Sequence, residues 1–181
     1  MENKRLNTLV VIPARGGSKG IPRKNLRPVA GRPLIYYSIQ AALNARFQAK
    51  VIVSTEDEEI ALLAERFGAS VIMRDLNLSD DKTTLDPVII DAVERLEDQI
   101  EEDRFEVIIT VQPTSPLISP NDIEGVFNKL ITEDLDTVIT VVDDRHLCWN
   151  FDDEKPSPLY KKRENRQKLS KTFKETGAVI A

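Results

Sequence analysis

Residues 8–25 read TLVVIPARGGSKGIPRKN, and an apolar run passes directly into a loop with two adjacent glycines and four basic residues. The run 8–13 is short and almost entirely apolar, which is typical of a strand buried on both faces of a parallel sheet. In open parallel sheets, ligands bind beyond the carboxyl ends of the strands. The sequence therefore predicts a ligand site in residues 14–25, the opening loop.

Working outward from this stretch, short apolar runs alternate with amphipathic segments. The apolar runs predict strands at 8–13, 50–54, 70–73, 107–112, 137–142 and 177–181. The amphipathic segments predict helices that begin at Pro33, after Thr55 as N-cap, at about residue 85 (running to 102) and at Ser119-Pro120. This alternation predicts an α/β fold with three layers and right-handed crossovers.

The alternation stops after Val142. The next 34 or so residues contain two prolines and many charges without a clear period, which indicates either a long excursion from the sheet or a disordered stretch. At 181 residues the chain is expected to form a single domain, 1–181.

Composition narrows the classes of protein and partner. The chain is 41% hydrophobic and 30% charged, which is ordinary for a globular protein, and no run is long enough to predict a membrane span. Cys148 is the only cysteine and His146 the only histidine, so no internal disulfide can form and a cytoplasmic location is expected. The net charge of −5 predicts no nucleic-acid partner, and two basic islands, 13–34 and 160–174, indicate local capture of an anion instead.

The opening loop has the chemistry of a phosphate site. Gly16 and Gly17 would let backbone N–H groups approach an anion closely, and Arg15, Lys19 and Lys24 can neutralise phosphate charge. The loop matches neither the P-loop pattern nor the dinucleotide pattern G-x-G-x-x-G. A Gly-Gly turn alone would be weak evidence, but the added basic residues favour a phosphate-handling role.

The stretch IPARGGSKGIPRKNL followed by GRPLIYYSI resembles the cytidylyltransferases that activate sialic acids, the acylneuraminate cytidylyltransferase (CMP-sialic acid synthetase) family. The segments MRDLNLSDDKTT (73–84), VQPTSPL (111–117) and NRQKLSKTFKETGAVIA (165–181) agree with it in order and spacing. The resemblance implies a Rossmann-like nucleotidyltransferase fold with a mostly parallel sheet. It also implies a reaction that joins CTP and a nonulosonic acid, an acidic keto-sugar, into a CMP-sugar and pyrophosphate.

The resemblance also implies roles for single residues of the opening loop. Arg15 would face the reacting phosphate and Lys24 would offset charge as pyrophosphate leaves, which makes these two the expected catalytic residues. The expected nucleotide-binding residues of the loop are Ala14, Gly16, Gly17, Ser18, Lys19 and Asn25.

Further along the chain, Arg74 matches an arginine that reads cytosine, although it could simply cap a strand end. Thr83 would lie near the nucleotide or serve as a helix N-cap. The expected sugar-binding residues are Gln112, Thr114, Ser115 and Arg166, with a rigid turn as the alternative for 112–115.

In this family the irregular segment is an arm that helps to build a homodimer, so 143–175 is expected to protrude and to bind a second copy. The arm departs from the usual pattern of the family, because Leu147 follows His146 and Trp149 stands where a lysine is usual. The last strand departs as well, with Ile180 where a tyrosine is usual. A structural role for His146 is therefore expected.

The resemblance implies Mg²⁺ as a cofactor, held by an aspartate pair in a later segment than this chain contains, so no metal-ligating residue is predicted here. The 181-residue chain is expected to bind Mg²⁺–CTP but to turn over slowly. Two alternatives remain: a cytidylyltransferase for legionaminic, pseudaminic or the eight-carbon Kdo acid, and a truncated or non-catalytic CTP-binding domain.

Overall fold

The computed structural model describes residues 6–98, 104–152 and 155–181. These residues divide into two compact units. The first contains the chain up to Thr140 together with Gly177–Ala181, and the second is Val141–Thr176.

The centre of the fold is a six-stranded sheet. In chain order its strands are β1 (Thr8–Pro13), β4 (Lys50–Thr55), β5 (Ser70–Met73), β6 (Val107–Val111), β7 (Ile139–Asp143) and β10 (Phe173–Ile180), and their order across the sheet is β5-β4-β1-β6-β10-β7. β1 pairs in parallel with β4 and β6, and β4 pairs in parallel with β5. β10 runs antiparallel to β6, with Val179 opposite Val111. The mostly parallel sheet predicted from the sequence is confirmed.

Two very short strands, β2 (Pro28–Val29) and β3 (Arg32–Pro33), pair with each other after the opening loop. Four helices follow in the first unit: α1 (Leu34–Leu43), α2 (Glu58–Arg66), α3 (Leu85–Glu97) and α4 (Pro120–Thr132). In the described part of the chain, none of the helices combines the length and the apolar character that crossing a membrane requires. Of the helix predicted for 85–102, residues 99–102 lie outside the described ranges.

The N-cap of α2 corrects one prediction. Thr55 is the last residue of β4, where it is fully buried and paired with Met73, so it cannot also begin a helix. Asp57 takes that place, and its carboxylate accepts hydrogen bonds from the N–H groups of Glu59 and Ile60, each at 3.0 Å. Gly68, at φ +98°, ends the helix as the sequence predicts.

The helices cover both faces of the sheet. Because successive side chains of a strand point to opposite faces, Val10 and Ile12 of β1 pack with α1, α2 and α4, whereas Leu9 and Val11 pack with α3. All four of these β1 side chains are fully buried. The predicted three-layer α/β architecture is therefore confirmed, and it places the opening loop at the carboxyl edge of the central strand.

The second unit contains a hairpin of β8 (Trp149–Asp152) and β9 (Lys155–Pro158) and a single 3₁₀ turn at Arg166–Lys168. The backbone N–H of Asp144 donates to the carbonyl of Thr172 at 2.8 Å. Of the two interpretations of this segment, the excursion from the sheet is the correct one. The sequence missed the hairpin because KPSP has two prolines, which are unusual in strands other than edge strands.

Candidate functional site

A cleft of about 260 Å³ lies in the first unit, where β1, β4, β5 and β6 end. It brings together segments that are far apart in sequence, as expected at the carboxyl edge of an open parallel sheet. The polar and charged side chains that line it are Arg15, Ser18, Lys24, Asn25, Arg74, Asp80, Asp81, Thr83, Thr84, Gln112 and Thr114. Eight of these are residues that the sequence predicts for nucleotide, catalysis or sugar.

The start of the opening loop continues the sheet. The N–H of Ala14 donates to the carbonyl of Ser54 at 2.9 Å, and Ala14 is fully buried, so its predicted part in nucleotide binding can be played only by its backbone. Asn25 is also buried, and its side-chain amide donates to the carbonyl of Arg15 at 2.9 Å. Asn25 therefore ties the end of the loop to its beginning while it lines the cleft.

The two adjacent glycines of the opening loop, Gly16 and Gly17, have different surroundings. A side chain at Gly16 would collide with Asp57, because an added Cβ would lie 2.2 Å from Asp57 Oδ2. An added Cβ at Gly17 would meet no atom within 4 Å. The sequence analysis predicts that both glycines let an anion approach the backbone closely. The structure explains Gly16 by the close approach of α2, and only Gly17 keeps open space around it.

Glu56 is a site residue that sequence reasoning missed. It follows β4 directly, and its carboxylate accepts hydrogen bonds from the N–H of Gly16 at 2.7 Å, Arg74 Nη2 at 2.8 Å and the hydroxyl of Ser79 at 2.8 Å. Burial alone would raise the pKa of Glu56, but the hydrogen bonds from Ser79 and Gly16, with the charge of Arg74, hold the pKa below its usual value. The signal that could have revealed Glu56 is its position directly after β4, the strand next to β1.

Arg74 proves to be buried, not a surface cap, and its side chain is 3% exposed. Besides its ion pair with Glu56, its Nε donates to the hydroxyl of Ser79 at 2.9 Å and its Nη1 donates to the carbonyl of Ser54 at 3.1 Å. Burial lowers the pKa of Arg74, but an arginine starts so far above neutral pH that it keeps its charge. Arg74 lines the cleft, and each nitrogen of its guanidinium donates to an acceptor of the protein itself.

Asp81 lies between two of the four basic side chains of the opening loop, those of Arg15 and Lys19. Its carboxylate is 2.9 Å from Arg15 Nη2 and 2.8 Å from Lys19 Nζ. The hydrogen bonds from Lys19 and then Arg15 lower the pKa of Asp81. Arg15 also donates to the carbonyl of Asp80 at 3.0 Å. A smaller depression next to the cleft includes Gly17 and Lys19, so both predicted nucleotide residues lie beside Arg15.

Thr83 lines the cleft, and its hydroxyl donates to Asp80 Oδ1 at 2.6 Å. This hydrogen bond lowers the pKa of Asp80. The N-cap position of α3 belongs to Thr84, whose side chain makes no capping hydrogen bond, so the N-cap alternative for Thr83 is wrong.

The remaining predicted residues fall in two places. Gln112 and Thr114 line the cleft, whereas Ser115 is not among its lining residues, and its N–H donates to the carbonyl of Gln112 at 3.3 Å in a tight turn. Arg166 belongs to the 3₁₀ turn of the second unit, and its place beside the sugar stays a prediction. In the same unit His146 Nδ1 is 2.9 Å from Asp144 Oδ1.

The acids of the cleft do not form a magnesium site in this arrangement. Asp80 Oδ1 accepts hydrogen bonds from the N–H groups of Lys82 and Thr83 and from the Thr83 hydroxyl, while Asp81 is paired with Arg15 and Lys19. Within residues 6–98, 104–152 and 155–181, no three His, Cys, Asp or Glu side chains come together in a way that could hold a metal ion.

The chain is similar in sequence to known cytidylyltransferases. A pseudaminic acid cytidylyltransferase of Campylobacter jejuni is 39% identical over 127 residues, which are 70% of this chain and 54% of that protein. The N-acylneuraminate cytidylyltransferase A of Danio rerio is 34% identical over 148 residues, 82% of this chain and 33% of that protein. The chain thus spans about half, or less, of the length of these relatives.

Among solved structures, the fold resembles a CMP:2-keto-3-deoxy-manno-octonic acid synthetase complexed with CTP. The TM-score is 0.66 at 23% identity, covering 96% of this chain and 73% of that one, which shows a shared fold. The family model described as cytidylyltransferase matches residues 9–172. Since that match includes nearly the whole chain, the protein belongs to the cytidylyltransferase family.

Proposed function

We propose that the protein joins CTP to an acidic keto-sugar of the sialic type, giving a CMP-sugar and pyrophosphate. The observation that carries this proposal is the convergence of Arg15, Lys24 and Arg74 in one cleft at the carboxyl edge of the sheet. Arg15 and Lys24 offer positive charge to a triphosphate, and Arg74 is the residue that the family resemblance assigns to the base. Family membership indicates the nucleotide, because the matching family is that of cytidylyltransferases.

The proposed reaction needs fixed positive charge more than it needs a protein nucleophile. The anomeric hydroxyl of the sugar acid attacks the α-phosphorus of CTP and gives up its proton to water, a new O–P bond forms, and the bond to pyrophosphate breaks in line with it. Negative charge spreads over the phosphate oxygens during this step. Arg15 and Lys24, both lining the cleft, are placed to stabilise it.

The sugar-binding side of the proposal rests on Gln112 and Thr114, which line the cleft at the end of β6. Their amide and hydroxyl groups can hydrogen-bond a polyhydroxylated acid. Pseudaminic acid is the second candidate substrate, because a relative of that name is 39% identical to this chain. N-acylneuraminate remains the first, since the motifs quoted from the sequence carry that resemblance.

A homodimer built on 143–175, a requirement for Mg²⁺ and a cytoplasmic location belong to the same proposal and come from the family resemblance. Pyrophosphate release in the presence and absence of EDTA tests the metal. Asp80 is hydrogen-bonded to Thr83, and Asp81 is paired with Arg15 and Lys19, so no protein step is assigned to a metal ion.

The test of the function is calorimetric titration with CTP, UTP, ATP and GTP, followed by pyrophosphate release with CTP and a panel of sialic, pseudaminic, legionaminic and Kdo acids. We expect CTP to bind about tenfold or more tightly than the purine nucleotides, since a misplaced buried hydrogen-bond partner costs about 1–3 kcal/mol. Equal affinities for all four would contradict the cytidylyltransferase activity, and CTP binding without turnover would leave the non-catalytic alternative.

The Arg15→Ala variant tests whether CTP binds in the cleft, and Arg95→Ala is its matched control. Both arginines are about one-third exposed and both pair with aspartates, but Arg95 lies on α3 away from the residues that line the cleft. We expect only Arg15→Ala to weaken CTP binding, with little change in the melting temperature of either variant. Unchanged CTP affinity in Arg15→Ala would separate the opening loop from the nucleotide.

A further inference from the structure

Glu56 contacts several parts of the cleft without lining it. Its side chain is 10% exposed, and it is not among the described residues that form the cleft wall. One carboxylate oxygen accepts from the opening loop at Gly16, and the other accepts from Arg74 and from Ser79. A single buried carboxylate therefore joins three segments that meet only in the folded chain.

Each of the three partners of Glu56 borders the place proposed for the nucleotide. Gly16 follows Arg15, which lines the cleft, and the guanidinium of Arg74 lines the cleft itself. Ser79 precedes Asp80 and Asp81, two further lining residues, and its carbonyl accepts from Arg15 Nη1 at 3.5 Å. A change at Glu56 would therefore affect both Arg74, which the family resemblance assigns to the base, and the neighbour of Arg15, which it assigns to the reacting phosphate.

The charge of Glu56 matters because Arg74 is buried. A buried guanidinium without a counter-ion is strongly unfavourable, so loss of the carboxylate charge would turn the Arg74 side chain toward water or toward the cleft. The N–H of Gly16 would have a weaker, uncharged acceptor in the same step. The donors that face the cleft would then point in directions that the intact network does not allow.

We infer that Glu56 is a positioning residue for the nucleotide: it touches no substrate, but its charge holds Arg74 and Gly16 in the arrangement that binds CTP and separates it from UTP. This inference rests on the proposed function. According to this inference, an acid that does not line the cleft contributes both to the affinity for the nucleotide and to the preference for cytosine over uracil.

The test compares Glu56→Gln with Glu58→Gln in the 181-residue chain. Glu58 is exposed and lies in the first turn of α2, so its variant removes the same charge two residues away. Calorimetry with CTP and UTP and thermal unfolding are measured on both. We expect Glu56→Gln to weaken CTP binding by about tenfold and to narrow the margin between CTP and UTP. Glu58→Gln should match the wild type, and Glu56→Asp, which keeps the charge, should recover most of the loss.

A folded Glu56→Gln protein with wild-type affinity and wild-type margin over UTP would overturn the inference, because a merely structural role changes unfolding and not the folded site. Should that variant fail to fold, Ser79→Ala decides. It removes the hydroxyl between Glu56 and Arg74 but leaves their ion pair. Because that variant keeps the charge of Glu56, the inference expects a folded Ser79→Ala protein to retain most of its CTP affinity, and a large loss of affinity would reject the inference by assigning the positioning to the Ser79 hydroxyl.

The two proposals fail in different ways. A wild-type chain that does not bind CTP rejects the proposed function, and the role of Glu56 falls with it. If the wild-type chain binds CTP and the Glu56→Gln chain binds it equally well, only the role of Glu56 is rejected.

Discussion

Asp81 holds the two loop cations that a phosphate group would need. Arg15 and Lys19 both contact its carboxylate, and the Lys19 side chain is otherwise 82% exposed. A triphosphate that binds to these cations must therefore compete with an acid of the protein itself. Surface ion pairs of this kind contribute little to folding, so the competition costs the protein little stability.

We predict that Asp81→Asn binds CTP about two- to fivefold more tightly than the wild type, because a neutral amide competes less well for Arg15 and Lys19. Calorimetry at low salt measures the change, and the melting temperature should hardly move. Asp136→Asn is the control, since Asp136 is exposed and outside the residues that line the cleft. Weaker binding by Asp81→Asn would show that Asp81 takes part in holding the nucleotide.

Glu56 also links the stability of the protein to pH. Its pKa is lower in the folded protein than its ordinary value of about 4.3, so the unfolded chain takes up a proton first on acidification. Its contribution to stability is complete above that ordinary value and is lost as the pH falls through the folded-state pKa. We therefore expect the wild type to lose stability more steeply than Glu56→Gln as the pH falls below the ordinary pKa of a glutamate.

Urea unfolding midpoints at several pH values check this difference in slope, with Glu58→Gln as the control that should keep the wild-type slope. Parallel curves for the wild type and Glu56→Gln would mean that the carboxylate of Glu56 carries no net stabilising interaction in the folded state.

At the scale of elements, the opening loop and the start of α2 form one unit of packing. Arg23, in the left-handed region at φ 53°, pairs with both Asp57 and Glu59. The same Asp57 carboxylate caps α2 and fills the space beside Gly16. The N-terminus of α2 therefore packs against the opening loop, and other residues of the same loop line the cleft.

Gly16→Ala and Gly17→Ala should separate packing from binding. At Gly16 an alanine would displace the Asp57 cap, which we expect to cost about 1–2 kcal/mol, or roughly 2–4 °C of melting temperature for each kcal/mol. At Gly17 the fold should be unaffected, but a methyl group would obstruct close approach of a phosphate to the backbone, and CTP binding should weaken. Thermal unfolding and CTP titration of both variants decide it. Equal melting temperatures would remove the packing explanation for Gly16.

The elements were largely predictable from the sequence, and the contacts between them were not. Apolar runs such as 8–13 predict buried strands because burial on both faces needs no polar alternation. Thr55 shows where this fails: both Thr55 and Asp57 are good N-caps, and only the pairing of β4 with β5 decides between them. Glu56 was missed for a related reason, since its partners Gly16, Arg74 and Ser79 are brought to it only by the sheet.

At the scale of the whole molecule, the parallel pairing of β5, β4, β1 and β6 agrees with the alternation of strands and helices, whereas the antiparallel β10 was not predicted. A chain that leaves the sheet after β7 and returns through the second unit can add its last strand in either direction. The strand itself was predicted at 177–181, and its first residues, from Phe173, were missed because FKET has no apolar alternation. Non-local pairing of this kind is set by the path of the connecting segment.

The second unit presents large apolar side chains to solvent. Trp149, Phe151, Leu159 and Phe173 are each between 55% and 69% exposed. Such side chains are favoured in the buried centre of protein interfaces. Together with the arm implied by the family resemblance, this exposure favours a second copy of the chain as the partner that covers them.

We therefore predict that the 181-residue chain is a dimer at micromolar concentration, and that replacing residues 147–172 by a short linker gives monomers. The deletion removes three of the four exposed apolar side chains named above and leaves the first unit, with its own core of β1, β4, β6 and the helices, free to fold. Sedimentation measures the mass, and CTP titration shows whether the cleft of the first unit persists in the monomer. Trp149→Ser with Phe151→Ser is the milder variant, which should weaken the dimer without shortening the chain. A monomeric wild type would remove the interface from the second unit, and a deletion variant that remains dimeric would place the interface on the first.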